Sequence, residues 1–112
     1  MGEENDIEEV TLVGNWQGDM SRTGSKVHTP ISLTITINNN GQVEGTGYDG
    51  GKGGGEFDFK GTFQFSRLIF SKQFKNRGSS PVDCVADLSI DGSHLAGSWN
   101  SPDGDGSWQA KP

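Results

Sequence analysis

Lys72 breaks the pattern around it. In Leu68-Ile69-Phe70-Ser71-Lys72-Gln73-Phe74 alternate positions are apolar, and Lys72 falls on the face shared by Leu68, Phe70 and Phe74. A lysine on a buried face needs a counter-charge, because desolvation otherwise favours the uncharged amine. Two aspartates beside glycines, Asp19 and Asp49, are the candidates for that role. A Lys–Asp pair of this kind can orient a polar ligand, while Tyr48, Trp99 and Trp108 offer aromatic surface to pack against it. Asp19, Tyr48, Asp49, Lys72, Trp99 and Trp108 therefore form the candidate ligand-binding set. Each has a plainer alternative. Lys72 can run its head to the rim along an apolar stem, the tryptophans can serve as core, and Tyr48 faces outward unless a bulge shifts the register.

Other chemistries find few parts. His28, His94 and the single cysteine, Cys84, fall at separate places in the predicted fold, so no metal site is expected. Asp103-Gly104-Asp105-Gly106 and Asp49-Gly50-Gly51 resemble fragments of calcium loops but lack the spaced oxygen donors and closing glutamate, and read better as turns. No serine or cysteine has a base and oxyanion framework legible beside it, and no acid–base pair follows from spacing, so no enzyme is expected. Gly45-Thr46-Gly47 and Gly53-Gly54-Gly55 precede strand patterns and not a helix, which removes a phosphate cradle. No cofactor is implied.

The elements that must position the candidate residues are strands. Leu12, Gly14, Trp16 and Gly18 alternate with polar neighbours in a first strand starting at Val10, and Asp19 to Thr29 reads as a polar loop. Ile31, Leu33, Ile35 and Ile37 make the cleanest half-buried strand, ending at the hairpin signal Asn38-Asn39-Asn40-Gly41. Strand three places Val43, Gly45 and Gly47 inward, where a bulky neighbour or backbone must approach. Strands four and five carry Phe57, Phe59, Phe63 and Phe65, then Leu68, Phe70 and Phe74, joined at Ser66-Arg67. Strand six is predicted from Val82 to Ile90, with a turn at Asp91 to Ser93. Strands seven and eight bring Trp99 and Trp108 inward.

Eight short strands in series, with no helical period, predict an all-β fold: an eight-stranded antiparallel up-and-down barrel, with a sandwich as the alternative. Links 2–3, 4–5 and 6–7 read as tight and the other four as long, so one end is expected to be closed and the other an open rim bearing the polar groups. All three Trp and six Phe fall on predicted inward positions, enough to plug much of such an interior.

The chain of 112 residues suits one domain, residues 10–112, behind an acidic lead-in over residues 1–9. That lead-in holds five of the 15 acids, leaving ten acids against nine bases, a near-neutral body without the basic stripe that nucleic acid requires. A single cysteine and the absence of a leader pattern after Met1 point to a soluble cytoplasmic protein, and no apolar run approaches the about 20 residues of a membrane helix.

Gly14-Asn15-Trp16, the following alternating strand, Val43-Glu44-Gly45-Thr46, and the hairpin from Val82 to Trp99 resemble the avidin/streptavidin-like, lipocalin-type (calycin) barrels. The resemblance implies a ligand-binding barrel. Its biotin contacts do not transfer, because Gly18 stands where that family places a polar side chain, Tyr48 is one position out of register, and the closing Trp-Lys segment departs from the usual form. Gly14-x-Trp16-x-Gly18, Gly45-x-Gly47-x-Asp49, Phe70-x-Lys72-x-Phe74 and Gly97-x-Trp99 also resemble small β-domains found alone or appended to larger proteins. Two functions are expected. The packed interior favours a non-catalytic interaction module with a protein partner, and the alternative is a small-molecule barrel with its site at the long-loop end. Val13, Ile69 and Val85 on the outer wall would suit pairing of barrels into a homo-oligomer.

Overall fold

The computed structural model describes residues 12–51, 54–75 and 80–112, so the acidic lead-in, Val10 and Gly53 lie outside it. Eight strands follow in order: β1 (Gly14–Arg22), β2 (His28–Ile37), β3 (Val43–Asp49), β4 (Gly55–Gln64), β5 (Arg67–Phe74), β6 (Val82–Leu88), β7 (Leu95–Ser101) and β8 (Gly104–Lys111). Each pairs antiparallel with the next, and β1 also pairs with β8, with Met20 opposite Trp108, so the sheet is a closed barrel. The alternation read from the sequence is the physical cause, since side chains of successive residues enter and leave the barrel wall in turn.

One half of the interior is packed with apolar side chains. Leu12, Trp16, Leu33, Ile35, Val43, Leu68 and Leu95 are fully buried. The Trp16 indole Nε1–H donates to the Leu12 carbonyl at 2.8 Å, which fastens the segment leading into β1 at this closed end. The expected crowding in β3 is present: a Cβ on Gly45 or Gly47 would collide with the rings of Phe59 and Phe57, which sit opposite them on β4.

Several boundaries differ from expectation. β1 continues through Asp19 to Arg22, and His28, Thr29 and Pro30 already belong to β2, with Asp19 opposite Pro30. Polar outward residues and a single apolar inward residue, Met20, concealed the alternation there. Phe65 is not inward: Phe65 and Ser66 have φ of 53° and 64° and form the two-residue turn between β4 and β5, leaving Phe65 90% exposed. Positive φ at both central residues is the type I′ geometry that matches strand twist. Ile90 is also outside. β6 ends at Leu88, and Ser89 and Asp91 build a hydrogen-bonded turn in which the Ser89 hydroxyl donates to Asp91 Oδ1 at 2.7 Å. Hydrogen bonds from Ser89 and Ser93 lower the Asp91 carboxyl to about 2.

Link length does not separate the two ends. The seventh link is only residues 102–103, whereas the sixth spans residues 89–94. What distinguishes the ends is the size and polarity of the inward side chains, as the site shows.

Phe65 and Ser66 adopt a conformation disfavoured for side chains with a Cβ by roughly 1–2 kcal/mol each. Replacing them with Asn-Gly (Phe65→Asn, Ser66→Gly) is expected to raise stability by about 1 kcal/mol or more, read as a higher urea midpoint with an unchanged slope.

Candidate functional site

Lys72 lies on β5 between Phe59 of β4 and Val82 of β6, and alternation turns it into the barrel. Its side chain is 1% exposed. Asp49 closes β3, opposite Gly55, and is inward for the same reason. The Lys72 ammonium stands 3.4 Å from Asp49 Oδ2, and Asp49 Oδ1 accepts the Gly51 N–H at 3.1 Å. Around the ammonium are the rings of Phe57 and Phe74, with centroids 4.7 and 5.4 Å away, and the Met20 sulfur at 4.0 Å. The aspartate and the negative faces of the rings replace part of the hydration that Lys72 gives up on burial.

Above this pair the barrel is hollow. A cavity of about 570 Å³ reaches from Lys72 and Asp49 to the rim, walled by Met20, Phe74, Val82 and Trp99. Arg22 sits at the rim with its guanidinium 5.4 Å from the Trp99 ring centroid, and its Nη1 donates to the Asp103 carbonyl at 2.7 Å. Trp99 is held by its Nε1–H, which donates to the Ser21 carbonyl at 3.0 Å. Only Gly106, opposite Trp99, leaves space for that indole N–H, since a Cβ there would stand 2.6 Å from Nε1.

Three of the six candidate residues, Asp49, Lys72 and Trp99, meet at this cavity. The other three do not. Asp19 is on the outer wall, where its carboxylate contacts His28 Nδ1 at 3.1 Å and Gln109 Nε2 at 3.5 Å. Tyr48 is also outside and 53% exposed, because β3 runs in unbroken register with both neighbours and no bulge turns it in. Trp108 is inward but below the cavity, edge-on to Phe70 with centroids 5.7 Å apart, and its Nε1–H donates to the Ser98 carbonyl at 3.2 Å. Sequence reasoning missed Met20 and Arg22. The signal was the parity of Trp16 and Gly18, which continues through both once β1 is extended.

Cys84, opposite Trp99, is buried with its thiol pushed up to about 12, chiefly by desolvation. No three His, Cys, Asp or Glu side chains come together to hold a metal ion among the described residues.

Two outcomes follow. Lys72→Met leaves the Asp49 carboxylate buried without its cation and is expected to cost about 3 kcal/mol or more, whereas Lys72→Met/Asp49→Leu recovers most of it; urea unfolding of both variants checks this. Cys84 protects the fold only while protonated. Its raised pKa means that its contribution is complete below about pH 9 and is lost as pH climbs towards 12, by about 1.4 kcal/mol per pH unit. Stability of the parent chain should therefore fall more steeply than that of Cys84→Ala between about pH 9 and 11.

Comparison with protein-family models gives no match, and no curated protein is similar in sequence. Solved structures share the fold. A redesigned beta barrel superposes with a TM-score of 0.74 at 13% identity, covering 94% of both chains. A second redesigned beta barrel, mFAP1 bound to DFHBI, gives 0.73 at 9% identity, covering 94% of this chain and 98% of its own.

Proposed function

We propose that this chain is a non-catalytic small-molecule-binding barrel, with its ligand entering at the end that carries Arg22, Asp49 and Trp99. The observation that carries the reading is the cavity of about 570 Å³ with a buried Lys72–Asp49 pair at its inner end. Ligand pockets are typically about 300–1,000 Å³ with a few fixed polar groups; this one matches in size, with Met20, Phe74, Val82 and Trp99 as apolar walls and a rim that Ser21, Arg22, Ser101 and Asp103 make more polar. A barrel serving only as an interaction module would be expected to fill its interior, because an empty volume forfeits packing. Here Phe65, one of the nine aromatics expected to plug it, is outside, and Trp16 and Trp108 lie below the cavity. The complex of mFAP1 with DFHBI adds that a barrel of this architecture accommodates a small molecule. Biotin itself fits poorly, since Gly18 offers no side chain and Tyr48 faces outward.

The test is a ligand-observed NMR screen of small aromatic and heteroaromatic compounds, repeated on Val82→Trp, which fills the cavity from its wall. Compounds that bind the parent chain and lose at least about tenfold in affinity in a folded Val82→Trp protein support the reading. Absence of any binder, or binding indifferent to the plug, would overturn it.

A further inference from the structure

The pair at the inner end of the cavity defines the kind of molecule it would hold. At 3.4 Å the Lys72–Asp49 contact is longer than the about 2.7–2.9 Å of a well-formed charge-assisted hydrogen bond. Neither partner is saturated by the described residues. Asp49 Oδ1 takes the Gly51 N–H, but among the described residues Oδ2 meets only the ammonium, and a carboxylate oxygen can accept twice. The ammonium carries three N–H bonds, and its neighbours are that one oxygen at 3.4 Å, a thioether sulfur at 4.0 Å and two ring faces. The inner end of the cavity thus holds a strong donor beside a strong acceptor, on a pair whose net charge is zero and whose side chains are nearly closed off, 1% and 9% exposed.

We infer that the cavity selects a neutral, flat ring carrying a carbonyl beside a ring N–H, as in lactams, cyclic imides and pyrimidinediones; the inference rests on the binding reading above. The carbonyl oxygen would accept from Lys72 Nζ while the adjacent N–H donates to Asp49 Oδ2. Both bonds are charge-assisted, and neither separates the pair from its counter-charge. A carboxylate would meet Asp49 and an ammonium would meet Lys72, so each gains from one partner and is repelled by the other. Each would also leave water to do so. Phe74, Val82 and Trp99 provide apolar walls for the body of such a ring.

Calorimetric titration with four aromatic probes tests this: phenyluracil, its N,N′-dimethyl derivative, benzoate and benzylammonium. Phenyluracil should bind, and the dimethyl derivative, which keeps the carbonyls and lacks the N–H, should bind at least about tenfold more weakly. Lys72→Met/Asp49→Leu, which keeps an apolar interior in place of the pair, should lose phenyluracil by a similar factor. If phenyluracil and its dimethyl derivative bind equally while Val82→Trp abolishes both, the cavity binds but not through the pair, and this inference alone fails. Preference for benzoate or benzylammonium overturns it in the same way. If no probe binds, this inference is overturned, and the library screen decides the binding reading separately.

Discussion

A sheet of eight strands can close on itself only by bending, which crowds its inner face, and several inward positions of this chain have no room for a side chain. At Gly61 and Gly97 a Cβ would run into the carbonyls of Ile69 and Val85 on the adjoining strands. The strands approach so closely there because curvature turns the inner face of one onto its neighbour. Each such glycine also removes volume from the interior. Next to Gly45 and Gly47 that volume is taken by the rings of Phe59 and Phe57 leaning across from β4. Beside Trp99, at Gly106, it is taken by an indole N–H on its way to a backbone carbonyl. The interior is in this sense a ledger of where glycines were needed and what their neighbours did with the space.

Phe57 connects that constraint to the site. One part of its ring occupies the place that a side chain at position 47 would need, and its face stands 4.7 Å from the Lys72 ammonium. The ring that lets β3 and β4 curve together therefore also helps to keep a buried cation in place. Asp49 contributes from the end of β3, two residues beyond Gly47, so the charge pair and the bend share the same pair of strands. A pair held this way keeps its two partners together in apolar surroundings without the tight contact that would use up its hydrogen-bonding capacity.

The closed meander was legible because period-two alternation is strong wherever the inward residues are Leu, Ile, Val or Phe, as in β2 and β5. Lys72 was legible for the opposite reason, as a charge on an otherwise apolar face, whereas Asp49 was expected only together with Asp19, which the structure turns to the outer wall. The eye fails where alternation thins. In the second half of β1 the inward residues are glycine, methionine and arginine, which do not contrast with polar neighbours, so the strand was expected to end early and Met20 and Arg22 went unseen. Phe65 and Ile90 fail in the other direction, since apolarity continued the pattern past the point where the backbone had turned. Hydrogen bonds of the Ser89–Asp91 turn and positive φ at Phe65 decided those ends. Which end would be open was inferred from loop length, whereas its actual basis is what the inward side chains leave unfilled.

The seam between β1 and β8 differs from every other pairing in the barrel, because no turn joins the two strands and their partners are far apart along the chain. Met20 and Trp108 lie 88 residues apart along the chain, so closing this seam carries a larger loop-closure entropy than any hairpin of the meander. Two of the side chains that stitch this region, Arg22 to the Asp103 carbonyl and Trp99 to the Ser21 carbonyl, stand at the rim of the cavity, and Thr23 to Asp105 adds a third link beyond it. A molecule seated against Arg22 and Trp99 would lean on both sides of the seam at once. Occupancy would then show itself as a barrier to unzipping, in the lifetime of the closed barrel as much as in its equilibrium stability.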